Sequence, residues 1–304
     1  MTRYVYGPLH NVFEDIRVIS IKIRRRTEYF YMPKGMFSSF MAYFSLGIYV
    51  FMTVSEATKR YKGVLVYQVE NIEKIMYPNG QNPRIFYDIS VIKSGIKNIL
   101  NAQKHKLFID FEMSMPPFRN YENFVSEIIQ FGMVLTDPNG ITIDEQSMFI
   151  KPVLYKSISD RTQKFLHISQ INIDNGMTYQ NFYQHFTNIV RKYQPMVFVW
   201  GQNDLIELRK SMRYNVVPDI TRRVQFIDLL KLHKTYFGLK NDLGLFNAHR
   251  LYSQAELEKQ IHDAHEDAVV TKTVFEGFKK VCNDELAVCL PVGNDRSTLQ
   301  IDKV

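Results

Sequence analysis

The chain has 304 residues, enough to bury an enzyme core and leave room for an accessory domain. Forty-five per cent of the residues are apolar, with 18 Tyr and 22 Phe, a composition that excludes a disordered polymer. The formal charge of +7 is unevenly spread: residues 1 to 106 hold 16 Lys+Arg against 7 Asp+Glu, or +9, and residues 107 to 304 hold 22 against 24, or −2. This places the excess positive charge in the N-terminal third, where a polyanion is the expected partner.

Only Cys282 and Cys289 are present, without C-x-x-C or zinc spacing, so neither a disulfide framework nor a zinc site is expected. With no cationic start leading into an apolar h-region, the expected compartment is cytoplasmic.

In chain order, Ile19, Ile21 and Ile23 alternate with Ser20, Lys22 and Arg24, the period of a strand. The triple Arg24 to Arg26 precedes Tyr29, Phe30 and Tyr31, aromatics that either stack on bases or fill a core. Gly35 to Ser55 carries no charge and has the length of a membrane span. From Phe44, however, Phe44, Leu46, Ile48, Val50, Met52 and Val54 fall on one side of a strand, and basic residues flank the segment on both sides. A strand is therefore expected and no membrane partner, with a nuclease tethered through residues 35 to 55 as the rival. A β-branched run, Val64 to Val69, follows a basic turn at Lys59 to Gly63.

These segments predict a basic, β-rich domain over residues 1–90, barrel-like and possible as an OB-like fold. Ile89, Ile92, Ile96, Ile99 and Leu100 have helical spacing, giving a helical linker over 91–105.

From Leu107 the pattern changes. Strands are expected at Leu107 to Met113, Glu127 to Thr136 and Ile141 to Ile150, with the turn Asp137-Pro138-Asn139-Gly140 before the third. A helix over Thr178 to Tyr193, a strand at Met196 to Trp200, a helix from Asn203 to Arg213, a short strand at Val224 to Leu229 and a last helix over Ala264 to Val281 follow. An antiparallel start followed by alternating helix and strand predicts an α/β domain with a mixed sheet flanked by helices over 106–282, and a tail over 283–304.

Asp110 and Glu112 stand two apart on an apolar strand and so share a face, with carboxyls roughly 6 to 7 Å apart. Two cations can bridge that spacing, and two cations suit phosphodiester cleavage. Carboxylates set against Leu107, Phe108 and Ile109 are costly to bury without a counter-charge. At the other end, His262 precedes Asp267 by five residues at the start of the last helix, so it can reach over that carboxylate.

Taken together, Asp-Phe-Glu on a first strand, Glu-Ile-Ile-Gln-Phe-Gly-Met-Val-Leu on a second, Phe-Val-Trp-Gly-Gln-Asn-Asp ending at Asp204, and His-x4-Asp opening the last helix resemble the DEDDh 3′→5′ exonuclease superfamily, with its RNase H-like fold, over residues 106 to 282. Trp-Gly-x-x-Asp is similar to the branch containing KapD-like bacterial proteins and the histone-mRNA and small-RNA exonucleases. The resemblance implies that Asp110, Glu112, Asp204 and Asp267 hold two divalent cations, Mg²⁺ or Mn²⁺ for an all-oxygen site. It implies that Glu112 and His262 are catalytic, with His262 the general base, and that Met113 and His262 touch the substrate.

The expected activity is 3′→5′ removal of nucleoside 5′-monophosphates, from single-stranded RNA in the first instance, with DNA as the alternative. A non-catalytic nucleic-acid-binding protein on the same fold is the rival from another class; the presence of all five residues argues against it. For the neighbours, His265 is expected on the surface, Asp228 as a structural acceptor and Trp200 in the core.

Overall fold

The computed structural model describes residues 2–118, 123–239, 241–253 and 262–289. The chain divides into two compact units, Met1–Ile96 and Lys97–Val304.

The first unit contains β1 (Thr2–Phe13), β2 (Val18–Ile23), β3 (Arg26–Tyr31), α1 (Lys34–Phe40), β4 (Tyr49–Tyr61), β5 (Val64–Tyr77) and β6 (Arg84–Asp88). Its sheet runs β3-β2-β1-β4-β5-β6, and a parallel pairing of Phe30 with Tyr67 and Tyr31 with Gln68 joins β3 to β5. Five strands thus close into a barrel of OB-like form, with β6 an antiparallel addition to β5. Alternation fills the inside: Val5 and Leu9, Ile19 and Ile21, Phe30, and Val50, Met52 and Val54 are all buried in one cluster.

Three local expectations change here. The uncharged stretch opens as helix α1, and its strand begins at Tyr49, so Leu46 is exposed while Ile48, Val50, Met52 and Val54 are fully buried. Short apolar runs fit helix or strand equally, and pairing with β1 and β5 decided the boundary. The run at Val64 is a 14-residue strand because it pairs on both sides, with its turn confined to Lys62 and Gly63, both at positive φ. Phe30 belongs to the core, whereas Tyr29 and Tyr31, one residue to either side, are half-buried on the opposite face. Among the described residues no helix is long and apolar enough to cross a membrane.

Helix α2 (Ile89–Leu100) runs across the boundary between the units. The second unit continues with β7 (Lys106–Met113), β8 (Ile128–Thr136), β9 (Thr142–Phe149), α3 (Asp160–Leu166), α4 (Gln170–Asp174), α5 (Tyr179–Tyr193), β10 (Met196–Val199), α6 (Asn203–Tyr214), β11 (Phe226–Asp228), α7 (Leu229–Phe237), α8 (Leu245–Tyr252) and α9 (Ala264–Cys282). The sheet order is β11-β10-β7-β8-β9; β7, β10 and β11 are parallel, and β8 and β9 antiparallel to their neighbours. This is the mixed sheet expected of an RNase H-like α/β domain.

The two faces of β7 separate packing from chemistry. Leu107, Ile109 and Phe111 pack with Phe182 and Phe186 of α5. Phe108 faces the other way, against Phe275 of α9 at 5.2 Å between ring centroids. Asp110 and Glu112 follow Phe108 at two-residue steps and so share the α9 face. Of the expected tail, residues 290–304 lie outside the described residues.

Candidate active site

The site stands at the carboxyl end of β7, the central strand, which is where parallel α/β sheets present their loops. Three elements converge there. β7 contributes Asp110 and Glu112. The β10–α6 turn contributes Asp204: Gly201 at φ +97° reverses the chain, a conformation that glycine adopts without strain, and Asp204 then enters the first turn of α6. The first turn of α9 contributes Asp267, with His262 just before it.

The approach of α9 is fixed by Gly132 and Gln130 of β8, which pair with Asp110 and Glu112. Asp263 caps α9 by accepting from the backbone N–H groups of His265 and Glu266, and its other oxygen accepts from Gln130 Nε2 at 2.6 Å. Sequence reasoning missed both roles. An Asp directly before a helical run signals a cap, but nothing in the sequence indicates that the cap is tied to β8.

Glu112, His262 and Asp267 each offer a ligand atom, and these atoms lie within 4.8 Å of one another. Asp204 is buried and its Oδ1 accepts from the Phe111 backbone N–H at 3.2 Å. Asp267 is buried too, and among the described residues its Oδ1 has no hydrogen-bond partner. The carboxyls feel one another strongly. Burial, then the charges of Asp204, Asp267, Glu112 and Asp263, pushes Asp110 well above the usual carboxylate range. Burial followed by Asp267 and Asp204 pushes Glu112 up to about 8. Burial raises Asp204 to about 7 against the pull of the Phe111 N–H, and burial with Asp263 raises Asp267 to about 7. A cluster of acids whose ionisation is disfavoured by burial first and by mutual repulsion second, with an orphaned buried oxygen, fits a divalent cation in its midst. The structure therefore brings Asp110, Glu112, Asp204, His262 and Asp267 to one place.

The His262 ring stacks on Phe165 of α3, with centroids 4.6 Å apart and planes at 20°. That partner was not foreseen, since nearly 100 residues separate the two. Met113, half-buried, packs against the α5 core cluster. His265 is half-buried with Nε2 3.9 Å from a Glu145 carboxylate oxygen, not on the open surface as expected, because β9 lies alongside this turn of α9. Asp228 accepts from the Lys231 N–H as the cap of α7, and the Trp200 indole donates to the Leu243 carbonyl while packing on His233.

A family model described as Exonuclease matches residues 107–275. The chain is 27% identical over 180 residues to the probable 3′-5′ exonuclease KapD of Bacillus subtilis (strain 168), covering 59% of this chain and 85% of the relative. Among solved structures, one described as 3′-end specific recognition of histone mRNA stem-loop by 3′-exonuclease is similar at a TM-score of 0.52 and 16% identity, over 61% of this chain and 85% of that one. The nuclease domain of 3′hExo, a DEDDh family member bound to rAMP, aligns at a TM-score of 0.49 and 18% identity, over 62% and 97%. With a family match that spans more than half of its residues, the chain belongs to the exonuclease family.

Proposed function

We propose that this 3′→5′ exonuclease removes nucleoside 5′-monophosphates from single-stranded nucleic acid, RNA before DNA, with Asp110, Glu112, Asp204 and Asp267 holding Mg²⁺ or Mn²⁺. The observation that carries the reading is the convergence of Glu112, His262 and Asp267 within 4.8 Å, beside the buried Asp204. When bound, a pair of divalent cations supplies charge to stabilise the attacking and leaving oxygens of an in-line displacement.

The residues supply the rest. The His262 imidazole takes a proton from the attacking water as general base. The phosphorus–O3′ bond then breaks, and the mononucleotide leaves with its 5′-phosphate. Phe165 holds the His262 ring plane, and Asp263 with Gln130 holds the helix start from which Asp267 projects. The buried Phe108, on the same face of β7 as the acids and packed on Phe275 of α9, keeps the local dielectric low, which strengthens each charge interaction. Preference for RNA rests on the Trp200-to-Asp204 string, which resembles the branch with the histone-mRNA exonucleases.

The test is stepwise shortening of a 5′-labelled single strand, RNA and DNA in parallel, with Mg²⁺ or Mn²⁺ and with EDTA. We expect loss from the 3′ end only with metal, and its abolition by Asp110→Asn. Intact substrate with both ions would overturn the reading.

A further inference from the structure

We infer that the outer face of β2 and β3 in the N-terminal barrel, bordered by the β1–β2 turn and the β4–β5 hairpin, is a binding surface for single-stranded nucleic acid. This goes beyond the cutting chemistry and stands on different residues.

Tyr29 and Tyr31 project from β3 on the side opposite the buried Phe30. Tyr31 lies 4.3 Å from Tyr61 of the β4–β5 hairpin, centroid to centroid, and Tyr29 lies 6.2 Å from the exposed Phe13 at the end of β1. Cations border these rings. Arg17 donates from Nη2 to the Tyr61 hydroxyl at 3.0 Å, with its guanidinium 5.8 Å from the Tyr31 centroid. Lys59 Nζ sits 4.6 Å from the same ring and donates to Gln68. Arg60 and Lys62, both exposed, extend the charge along the hairpin.

Aromatic rings interleaved with cations match a single strand, whose bases stack on rings of any sequence and whose phosphates seek positive charge. Duplex nucleic acid would leave the rings unused.

Charge and backbone support that choice of occupant. Residues 1–96 carry 13 Lys+Arg against 7 Asp+Glu, and Glu28 and Asp88 are already paired with Arg3 and Lys74. Glu14 and Asp15, both exposed, share the β1–β2 turn with Arg17, whose guanidinium bonds to Tyr61. Arg17, Arg24 and Lys62 all occupy turns at positive φ, of 52°, 56° and 45°. Glycine or asparagine would sit there with less strain, so each turn keeps a cation at a conformational cost. Because Arg17 is bonded to Tyr61 and its carbonyl accepts from Met32 N–H, the platform is ordered in advance.

The test uses the full chain carrying Asp110→Asn, in EDTA, so that binding is read without cleavage. Labelled 20-mers and 5-mers of U and dT are titrated by fluorescence anisotropy across a salt series. Tyr31→Ala with Tyr61→Ala should weaken 20-mer binding about tenfold or more, while Tyr31→Phe alone, which keeps the ring and the Arg17–Tyr61 bond, should stay close to the parent. Lys59→Ala with Arg60→Ala and Lys62→Ala changes exposed hairpin side chains, and should reduce the log–log salt slope by about 0.7 for each phosphate that the removed cations neutralise in the parent. If the alanine pair fails to fold, this hairpin variant decides alone. Unchanged affinity and salt slope in the hairpin variant would overturn the proposal and favour a protein partner for the face. Neither outcome depends on whether the untouched enzyme shortens RNA, which is read separately.

Discussion

A β-carbon on Gly132 would stand 2.0 Å from the carbonyl carbon of Ala264. The first turn of α9 therefore rests directly on β8, opposite Asp110, and no other residue permits that approach. Gly132→Ala should push α9 outward, carrying Asp267 and His262 with it. Overpacking of this kind costs roughly 1–3 kcal/mol, and displacement of catalytic groups by an ångström costs on the order of 100-fold in rate. We expect a lower melting temperature together with a kcat loss of that order. A variant with normal kcat would show that the helix start does not set the site.

Divalent cations should raise the melting temperature, since they bind the clustered carboxylates of the folded chain and not the dispersed ones of the unfolded chain. At a cation concentration 100 times Kd the linkage amounts to about 2.7 kcal/mol. Asp110→Asn should lose most of that rise. In EDTA the same variant should melt no lower than the parent, because burial first, and repulsion from its neighbours second, disfavours an ionised form of Asp110 that the neutral amide cannot adopt. Equal cation responses in both proteins would place the binding elsewhere.

Without metal, stability should fall as pH rises from about 4 to about 8. Unfolded carboxyls titrate near 4, while Glu112 titrates at about 8 and Asp204 and Asp267 at about 7 in the fold. The folded state thus holds more protons through this window, and stability contributed by the protonated acids is lost as they ionise. His233 acts with the opposite sign: burial lowers it to about 4, so its contribution is lost as pH falls below about 6.5. Melting curves at pH 6.5 and 8.0, in EDTA and in Mg²⁺, separate the effects. The drop between these values should appear in EDTA and shrink with the cation; a drop of equal size in both would refute the assignment to the acidic cluster.

Phe165 is 46% exposed, so its truncation removes little core, yet it stacks on His262. Phe165→Ala should lower kcat about tenfold by freeing His262, the proposed base, to rotate, with KM and melting temperature little changed. Restoration of the rate by Phe165→Tyr would tie the effect to the ring. Unchanged kcat in the alanine variant would mean that His262 is oriented by other neighbours.

What the sequence determined by itself is local or strictly periodic. Asp110 and Glu112 share a face because strand geometry requires it, and that face is opposite Leu107, Ile109 and Phe111 whatever packs there. The long amphipathic runs that became α5 and α9 were legible for the same reason, as was the order of the motifs that carry the family resemblance. Tertiary structure decided everything that depends on residues far apart in the chain. Short helices α3, α4, α7 and α8 were not foreseen, since few residues of periodicity cannot outweigh packing. The strand starts at Tyr49 and not at Phe44 because ladder pairing of this segment with β1 and β5 starts there, opposite Pro8 and Met76, and Phe30 parted from Tyr29 and Tyr31 only when the barrel closed through β5. The link from Gln130 to Asp263 spans 133 positions, and the stacking of Phe165 on His262 spans nearly 100. Pairings of that range are fixed by how whole elements bury their apolar faces, and no local pattern encodes the result.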